Sequence, residues 1–365
     1  MRILFWVPYP SEGASNRYRI EQYLPYLKKT WAHVLHPFWS SNAYKILYQK
    51  GCLLKKTLYF ALGSLKRILD ILFLFRYDIV IIHREAYPIG GPIFEALLHF
   101  FNKTFIFDFD DAIFLPTCSR ANNFIEKFKR PDKVSSIISK SSYVIAGNSY
   151  LADFASRYSR DVCVIPTSID TSKYKACVKD KKSDIVIGWV GSLTTIDFLA
   201  PLSSVFMRLS QKYPHIKFKI IGGNFSIHGL TNIVSKQWSA CEEISDLQTF
   251  DIGIMPMLDN KWTNGKCGFK AILYMSCGIP SVCSAVGVNK EIISDGENGF
   301  LATTSDDWVN KLSFLIEDRE LREKIALRAR ETVEEKFSVA VNAQKFIKVI
   351  QDVSKGKVKC AESAG

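Results

Sequence analysis

The chain has 365 residues, 47% hydrophobic and 23% charged, with a formal net charge of +12 at pH 7. That length and composition suit two globular domains and exclude a disordered or fibrous chain. The positive balance points to anionic partners such as nucleotides or phospholipid head groups. Nucleic acid is set aside, because aromatic residues do not interleave with the basic ones in a stacking pattern. Nine scattered cysteines, with no CxxC pair and no Cys/His cluster at metal spacing, read as free thiols in a reducing cytoplasm. No signal-peptide pattern follows Met1-Arg2, and no run is apolar for long enough to cross a bilayer.

In chain order, residues 2–7 form an apolar run ended by Pro8-Tyr9-Pro10, which predicts a first buried strand. A loop of small and polar residues around Gly13 follows. A helix is then expected from Arg17, capped by Ser15 or Asn16. Strand, small-residue loop and helix open doubly wound α/β domains, whose ligands lie outside the strand's carboxyl end. The loop is not GxGxxG, so a dinucleotide fingerprint is absent. Residues 34–38 predict a second strand. Residues 43–76 then mix Lys45, Lys50, Lys55, Lys56, Lys66, Arg67 and Arg76 with Leu, Ile, Phe and Tyr, and predict one or two amphipathic helices. Two readings stand for them: docking on an anionic membrane surface, or packing on the sheet with the lysines in water.

Apolar runs with polar carboxyl ends recur at 78–84, 104–111, 143–149 and 162–166, the pattern of a parallel sheet. The polar stretch 171–184, crowded by Lys173, Lys175, Lys179, Lys181 and Lys182, predicts an interdomain linker. A second series of strands is expected at 184–192, 215–223, 250–256, 280–284 and 299–302. From Ser305 the chain reads as helical and charged, and the tail 355–365 as disordered.

Chemistry concentrates in a few places. In residues 264–280, Gly265 and Gly268 bracket Lys266 and Cys267, and Cys277-Gly278-Ile279-Pro280 stops the helix that follows. On one continuous helix Lys266, Lys270 and Tyr274 would share a face near its amino end, a candidate phosphate or diphosphate site. Gly191-Ser192-Leu193-Thr194-Thr195 is a second candidate phosphate loop or a capping turn, and Gly222-Gly223-Asn224 a weaker one. Asp108, Asp110 and Asp111 end a predicted strand. They read as a Mg²⁺ or Mn²⁺ site, as a general base with a neighbour, or as a helix cap. None of the six histidines shows metal spacing. His83 alone ends a strand, where a core role is its ordinary reading.

The order and spacing of these blocks resemble the retaining glycosyltransferases of family four, the group 1 glycosyl transferases. The resemblance is carried by Gly188-Trp189-Val190-Gly191-Ser192, by 250–256, by 264–280 and by 286–301. It is looser at Gly13, 146–149 and 165–170. Within that family the chain is similar to a subgroup with GKCxFKxxxYM, here Gly265 to Met275, in place of the two-glutamate donor motif. Lys266 and Tyr274 stand where those glutamates would be. The basic residues relatives carry after the first strand of this half are also missing, with Ser192 and Thr195 or Ile196 near those places.

The resemblance implies an α/β GT-B fold, two doubly wound Rossmann-like domains facing a central cleft. An acceptor-binding domain spans 1–172, a nucleotide-sugar-binding domain 184–335, and a helix at 336–354 crosses back to the first domain. It implies donor contacts at Gly191, Ser192, Gly222, Lys266, Gly268, Phe269, Lys270, Tyr274 and Glu291, and acceptor contacts at Gly13, Arg17, Arg19 and Asp111. Asp110 is the implied catalytic residue, as a base or as a stabiliser of oxocarbenium-like charge. No metal or other cofactor is expected. The implied reaction moves a hexosyl or N-acetylhexosaminyl group, with retention, from a nucleotide-diphosphate sugar to a glycan or polyprenyl-linked acceptor in surface polysaccharide or glycoconjugate synthesis. The expected location is the cytoplasm, at or near the inner face of the membrane. Two alternatives stay open: a metal-dependent transferase using Asp108 and Asp110, and a non-catalytic relative that binds a sugar nucleotide.

Overall fold

The structure, a computed structural model, describes residues 1–47, 49, 51–116, 130–176, 184–192 and 195–356. The chain divides into two compact units. The first comprises Met1–Thr167, Gly265–Cys267 and the chain from Asn342; the second comprises Ser168–Asn264 and Gly268–Val341.

The first unit is built on six parallel strands: β1 (Arg2–Val7), β2 (Ala32–Pro37), β3 (Ile79–His83), β4 (Phe105–Phe109), β5 (Tyr143–Ala146) and β6 (Val162–Val164), in the order β2-β1-β3-β4-β5-β6. Ile3 to Val7 are wholly buried, as a strand covered on both faces requires, which is why β1 reads as an unbroken apolar run. Helices α1 (Ala14–Arg19), α2 (Leu24–Leu27), α3 (Ser41–Leu47), α4 (Leu53–Leu72), α5 (Ile93–Phe100), α6 (Lys133–Lys140) and α7 (Ser149–Ala155) connect the strands. Because β1 and β3 are neighbours while β2 lies outside them, the chain turns opposite ways after β1 and β3. The switch point of the sheet is therefore at their carboxyl ends.

The second unit repeats the plan with β7 (Ile185–Val190), β8 (Ile216–Ile221), β9 (Ile233–Lys236), β10 (Ile252–Met255), β11 (Ser281–Ser284) and β12 (Phe300–Ala302), all parallel, in the order β12-β11-β10-β7-β8-β9. Its helices are α8 (Ser203–Lys212), α9 (Glu243–Leu247), α10 (Lys261–Asn264), α11 (Phe269–Ser276), α12 (Asn289–Ile292), α13 (Ser305–Glu317) and α14 (Arg319–Thr332). Thr304 and Asp307 start α13 with a reciprocal capping box. Phe206 stacks on Phe218 with ring centres 4.0 Å apart, in a core that includes Trp189. The switch point here lies between β7 and β10. Both units are Rossmann-like, and together they make a two-domain α/β fold.

All six predicted strands of the first unit are present. In the second, β9 escaped the sequence reading because Ile-Val-Ser-Lys is a short, half-exposed edge strand with no apolar run. The predicted linker begins later than 171. Ile169 bridges to Ser338, the Tyr174 hydroxyl donates to Glu243 at 2.6 Å, and Arg330 donates to the carbonyls of Thr171, Tyr174 and Ser276. Residues up to 176 are thereby fastened to the second unit. Lys179, Lys181 and Lys182 lie outside the described residues, as do Lys50, Leu193, Thr194 and the tail beyond Gly356. The last helix, α15 (Val339–Ser354), stacks Phe346 on Tyr23 at 5.0 Å. Among the described residues no helix is long and apolar enough to cross a membrane.

Two glycines admit the aromatic rings under this second sheet. A Cβ on Gly188 would lie 2.1 Å from the Phe250 ring, and one on Gly253 2.5 Å from the Tyr274 ring. Gly188→Ala is expected to cost about 1–3 kcal/mol through overpacking. Urea unfolding followed by tryptophan fluorescence checks this, and an unchanged midpoint would show the ring to be mobile.

Candidate functional site

The first unit gathers charged side chains at the carboxyl ends of β1, β3 and β4. His83 ends β3 beside Asp108 of β4, and both are wholly buried. His83 Nδ1 lies 2.6 Å from Asp108 Oδ2, and Nε2 lies 2.5 Å from Ser15 Oγ. Arg19, 1% exposed, donates to both oxygens of Asp108 and, at 2.6 Å, to the carbonyl of Ile165. Burial disfavours the Asp108 charge, but Arg19 and the His83 hydrogen bond outweigh it and hold the carboxyl below the usual range. With Asp108 ionised, His83 Nδ1 is the donor to it, and the other ring nitrogen shares its hydrogen bond with the Ser15 hydroxyl.

The next residue, Arg84, has φ +63°, an uncommon conformation for any residue but glycine. Its amide donates to the Asp108 carbonyl at 2.7 Å. Its Nε donates to Asp110 Oδ1 at 2.7 Å, and its Nη2 lies 3.8 Å from Asp111 Oδ2. Lys266 Nζ meets the same Asp111 oxygen at 2.9 Å. Burial again opposes the charge on Asp110, yet Arg84 and then His83 overcome it and hold this carboxyl well below the ordinary range. Such a group is a weak base and a strong, permanent source of negative potential.

Residues 265–267 are built into this unit. A Cβ on Gly265 would meet the Ala112 Cβ at 2.4 Å, one on Gly147 would meet Cys267 Sγ at 2.4 Å, and Asn148 Nδ2 donates to the Lys266 carbonyl at 2.9 Å. Of the predicted acceptor residues, Gly13 forms the tight turn after β1, its amide donating to the Pro10 carbonyl at 2.8 Å. Arg17 is half-buried over the Tyr18 ring, Arg19 is internal, and Asp111 holds Lys266.

In the second unit, predicted donor residues collect at the carboxyl ends of β7 and β8. Gly222, at φ +104°, would place a Cβ 1.9 Å from the Gly191 carbonyl oxygen, so only glycine allows the two loops to approach. Ser192 starts a tight turn to Thr195, whose amide donates to the Ser192 carbonyl at 2.9 Å. Lys270, in the first turn of α11, lies with Nζ 5.4 Å from the centre of the Trp189 ring at the end of β7. Phe269 beside it is half-buried, and Glu291 is exposed on α12. Tyr274 is wholly buried. Its oxygen accepts from the Val190 amide at 3.0 Å and its hydroxyl lies 3.3 Å from the Ile254 carbonyl, while burial pushes its pKa far up.

Lys266, Lys270 and Tyr274 do not share one helix. Gly268, at φ +63°, breaks the backbone before Phe269, so α11 begins after Lys266. Ser15 and Asn16, expected as the cap of α1, lie inside it, and Gly13 takes the cap position because the helix begins at Ala14. Sequence reasoning passed over Arg84 and the structural part of Asp108, and singled out His83 among the histidines with a core role as its ordinary reading. The polar His83-Arg84 pair closing an apolar strand was the available signal.

Residues 184–318 match the family model of the glycosyl transferases group 1. The fold is similar to that of Anabaena Alr3699/HepE, solved in complex with UDP and glucose, at TM-score 0.68 and 17% identity over 96% of this chain and 100% of that one. It is also similar to a glycosyltransferase from Rickettsia africae, at TM-score 0.72 and 15% identity over 97% and 98%. Sucrose-phosphate synthase from Thermosynechococcus elongatus gives TM-score 0.71 and 12% identity over 98% and 100%. At these identities the likeness is one of fold. No curated protein sequence matches the chain. The group 1 match is confined to 184–318, and the structural likeness extends the two-domain Rossmann-like fold of the GT-B class over nearly the whole chain.

Because the Asp108 and Asp110 pKa values are depressed by folding, their contribution to stability is complete above the unfolded carboxylate value of about 3.9 and is lost as pH falls below it. Asp110→Asn should therefore lower the thermal midpoint at pH 7 and differ less from the parent at pH 3. A gap independent of pH would show that the Arg84 pair contributes nothing.

Proposed function

We propose that the protein is a glycosyltransferase that moves a sugar from a nucleotide-diphosphate sugar to a hydroxyl of a glycan or polyprenyl-linked acceptor. The observation that carries this reading is the close approach of two glycine loops at the carboxyl ends of β7 and β8 in the group 1 domain, which we read as an anion site. There the backbones of Gly191 and Gly222 meet, and Lys270 stands on the first turn of α11. Close-packed glycines and a helix amino end favour a diphosphate, and an ammonium group neutralises it. The complex of Anabaena HepE with UDP and glucose supports the choice of a sugar nucleotide. Tyr274 acts indirectly, tying the Val190 amide beneath the loop.

In the first unit, Asp110 stabilises positive charge developing on the transferred sugar, a role its depressed pKa suits better than that of a base. Arg17 and the turn at Gly13 take the acceptor, while Arg19 fixes Asp108. Lys266, paired with Asp111, serves the donor in this reading. The reaction needs no metal, since the Asp110 and Asp111 carboxylates are already matched by Arg84 and Lys266. Retention, transfer of a hexosyl or N-acetylhexosaminyl group, and a place in surface polysaccharide or glycoconjugate synthesis at the inner face of the membrane complete the reading.

A thermal-shift screen of UDP, GDP and ADP sugars should find one that stabilises the fold, by about 2.7 kcal/mol at a hundredfold excess over Kd. Lys270→Ala and Lys266→Ala should each weaken that ligand about tenfold, equivalent to about 1.4 kcal/mol. Unchanged affinity in both would remove the diphosphate assignment. Asp110→Asn should keep binding and lose transfer by about a hundredfold or more. Turnover should survive chelation; loss restored by Mg²⁺ would favour a metal at Asp108 and Asp110 instead.

A further inference from the structure

Helix α4 is inside out. Its inward row is Gly63, Arg67 and Asp70, all buried. A Cβ on Gly63 would lie 2.8 Å from the Phe38 carbonyl oxygen, so the helix sits close to its neighbours. Arg67 donates to the carbonyls of Ala86 and Val7, at 3.0 and 3.2 Å, and to Asp70 at 3.2 Å. Asp70 in turn accepts from Trp6 Nε1 at 2.9 Å and pairs with His36 Nδ1 at 2.6 Å. The polar side of the helix is thus its anchor. The opposite side carries Leu54, Leu58, Leu65, Leu69 and Leu72, all exposed, with Leu54 at 88% and Leu72 at 63%; Phe73 and Phe75 extend it. At 3.6 residues per turn these leucines fall in one stripe. A row of this kind in water has no counterpart in ordinary surface helices, which present their polar face to solvent.

The charge around the stripe has one sign. Lys55 is exposed, Lys56 and Lys66 are half-buried, and Arg76 is exposed just beyond, while the single acid of α4 is the buried Asp70. We propose that α4 docks the protein on an anionic phospholipid bilayer. The helix lies in the interface plane, leucines toward the acyl chains and lysines among the head groups. At 1.5 Å per residue its twenty residues extend about 30 Å, but the charges at 55, 56, 66, 67 and 70 exclude a spanning role. A second copy of this face is a poorer occupant, because it would bring lysines against lysines. A pocket lined by Pro10, Phe38, Tyr59, Leu62 and Lys66 adjoins α4. The bilayer therefore lies next to the loop after β1. The inference rests on α4 alone and is independent of the sugar-transfer reading.

The test is sedimentation of the full chain with vesicles of phosphatidylcholine containing 30% phosphatidylglycerol (roughly the anionic fraction that makes each basic side chain count) against pure phosphatidylcholine. Binding is expected to the anionic vesicles only, to fall about tenfold in the Leu58→Glu/Leu65→Glu double variant, and to weaken as salt rises. Leu54→Glu, at the most exposed position, gives a second, milder variant should the double one misfold. A thermal unfolding midpoint, followed by circular dichroism, that stays as in the parent shows the variants to be folded. No binding, equal binding to both vesicles, binding indifferent to these substitutions, or a dimer in solution that they dissolve would each overturn the proposal.

Discussion

The first unit depends on one buried charge pair. Removing Arg19 and Asp108 from water costs several kcal/mol per ion, which close geometry alone does not recover. The pair is tolerable because both partners make further hydrogen bonds: Asp108 also accepts from His83, and Arg19 also reaches the Ile165 carbonyl after β6. One guanidinium thereby joins α1, β4, β3 and the far edge of the sheet. Loss of either partner would strand a charge in the interior, an effect of about 3–5 kcal/mol. The half-buried end of the same network, Ser15, Arg84 and Asp110, inherits its orientation from that fixed core.

The strands were legible because a doubly covered parallel sheet demands unbroken apolar runs with polar carboxyl ends, and the chain supplies them from Ile3-Leu4-Phe5-Trp6-Val7 onward. What escaped was conformational or long-range. The break before α11 is a matter of the Gly268 backbone, whose φ no residue pattern states. The role of His83 depends on Asp108 and Ser15, separated from it by 25 and 68 residues, so its environment exists only once three elements have come together. Tyr274, expected on a ligand-facing stripe with Lys266 and Lys270, is instead buried under the second sheet. Its spacing from Lys270 could not reveal that it points beneath the loop, because burial direction on a helix covered on most sides leaves no periodic mark.

Helix α4 shows the same limit from the other side. Its alternation of lysines and leucines fits two opposite orientations, and the choice is made by Trp6, His36 and Phe38, which offer the helix a polar anchor and a close aromatic wall. Local amphipathicity gave the axis of the stripe but not its sense. Partners on other strands decided which half faces the protein.

The turn at Arg84 has an evolutionary consequence. Glycine there would relieve the backbone by about 1 kcal/mol. It would also delete the cation that keeps Asp110 ionised and strand that carboxylate, which costs stability in its turn. The strained arginine is therefore held in place by its own ion pair, and a lineage selected for heat resistance could reach glycine at 84 only once Asp110 had changed as well. Residues 84 and 110 should change together or not at all.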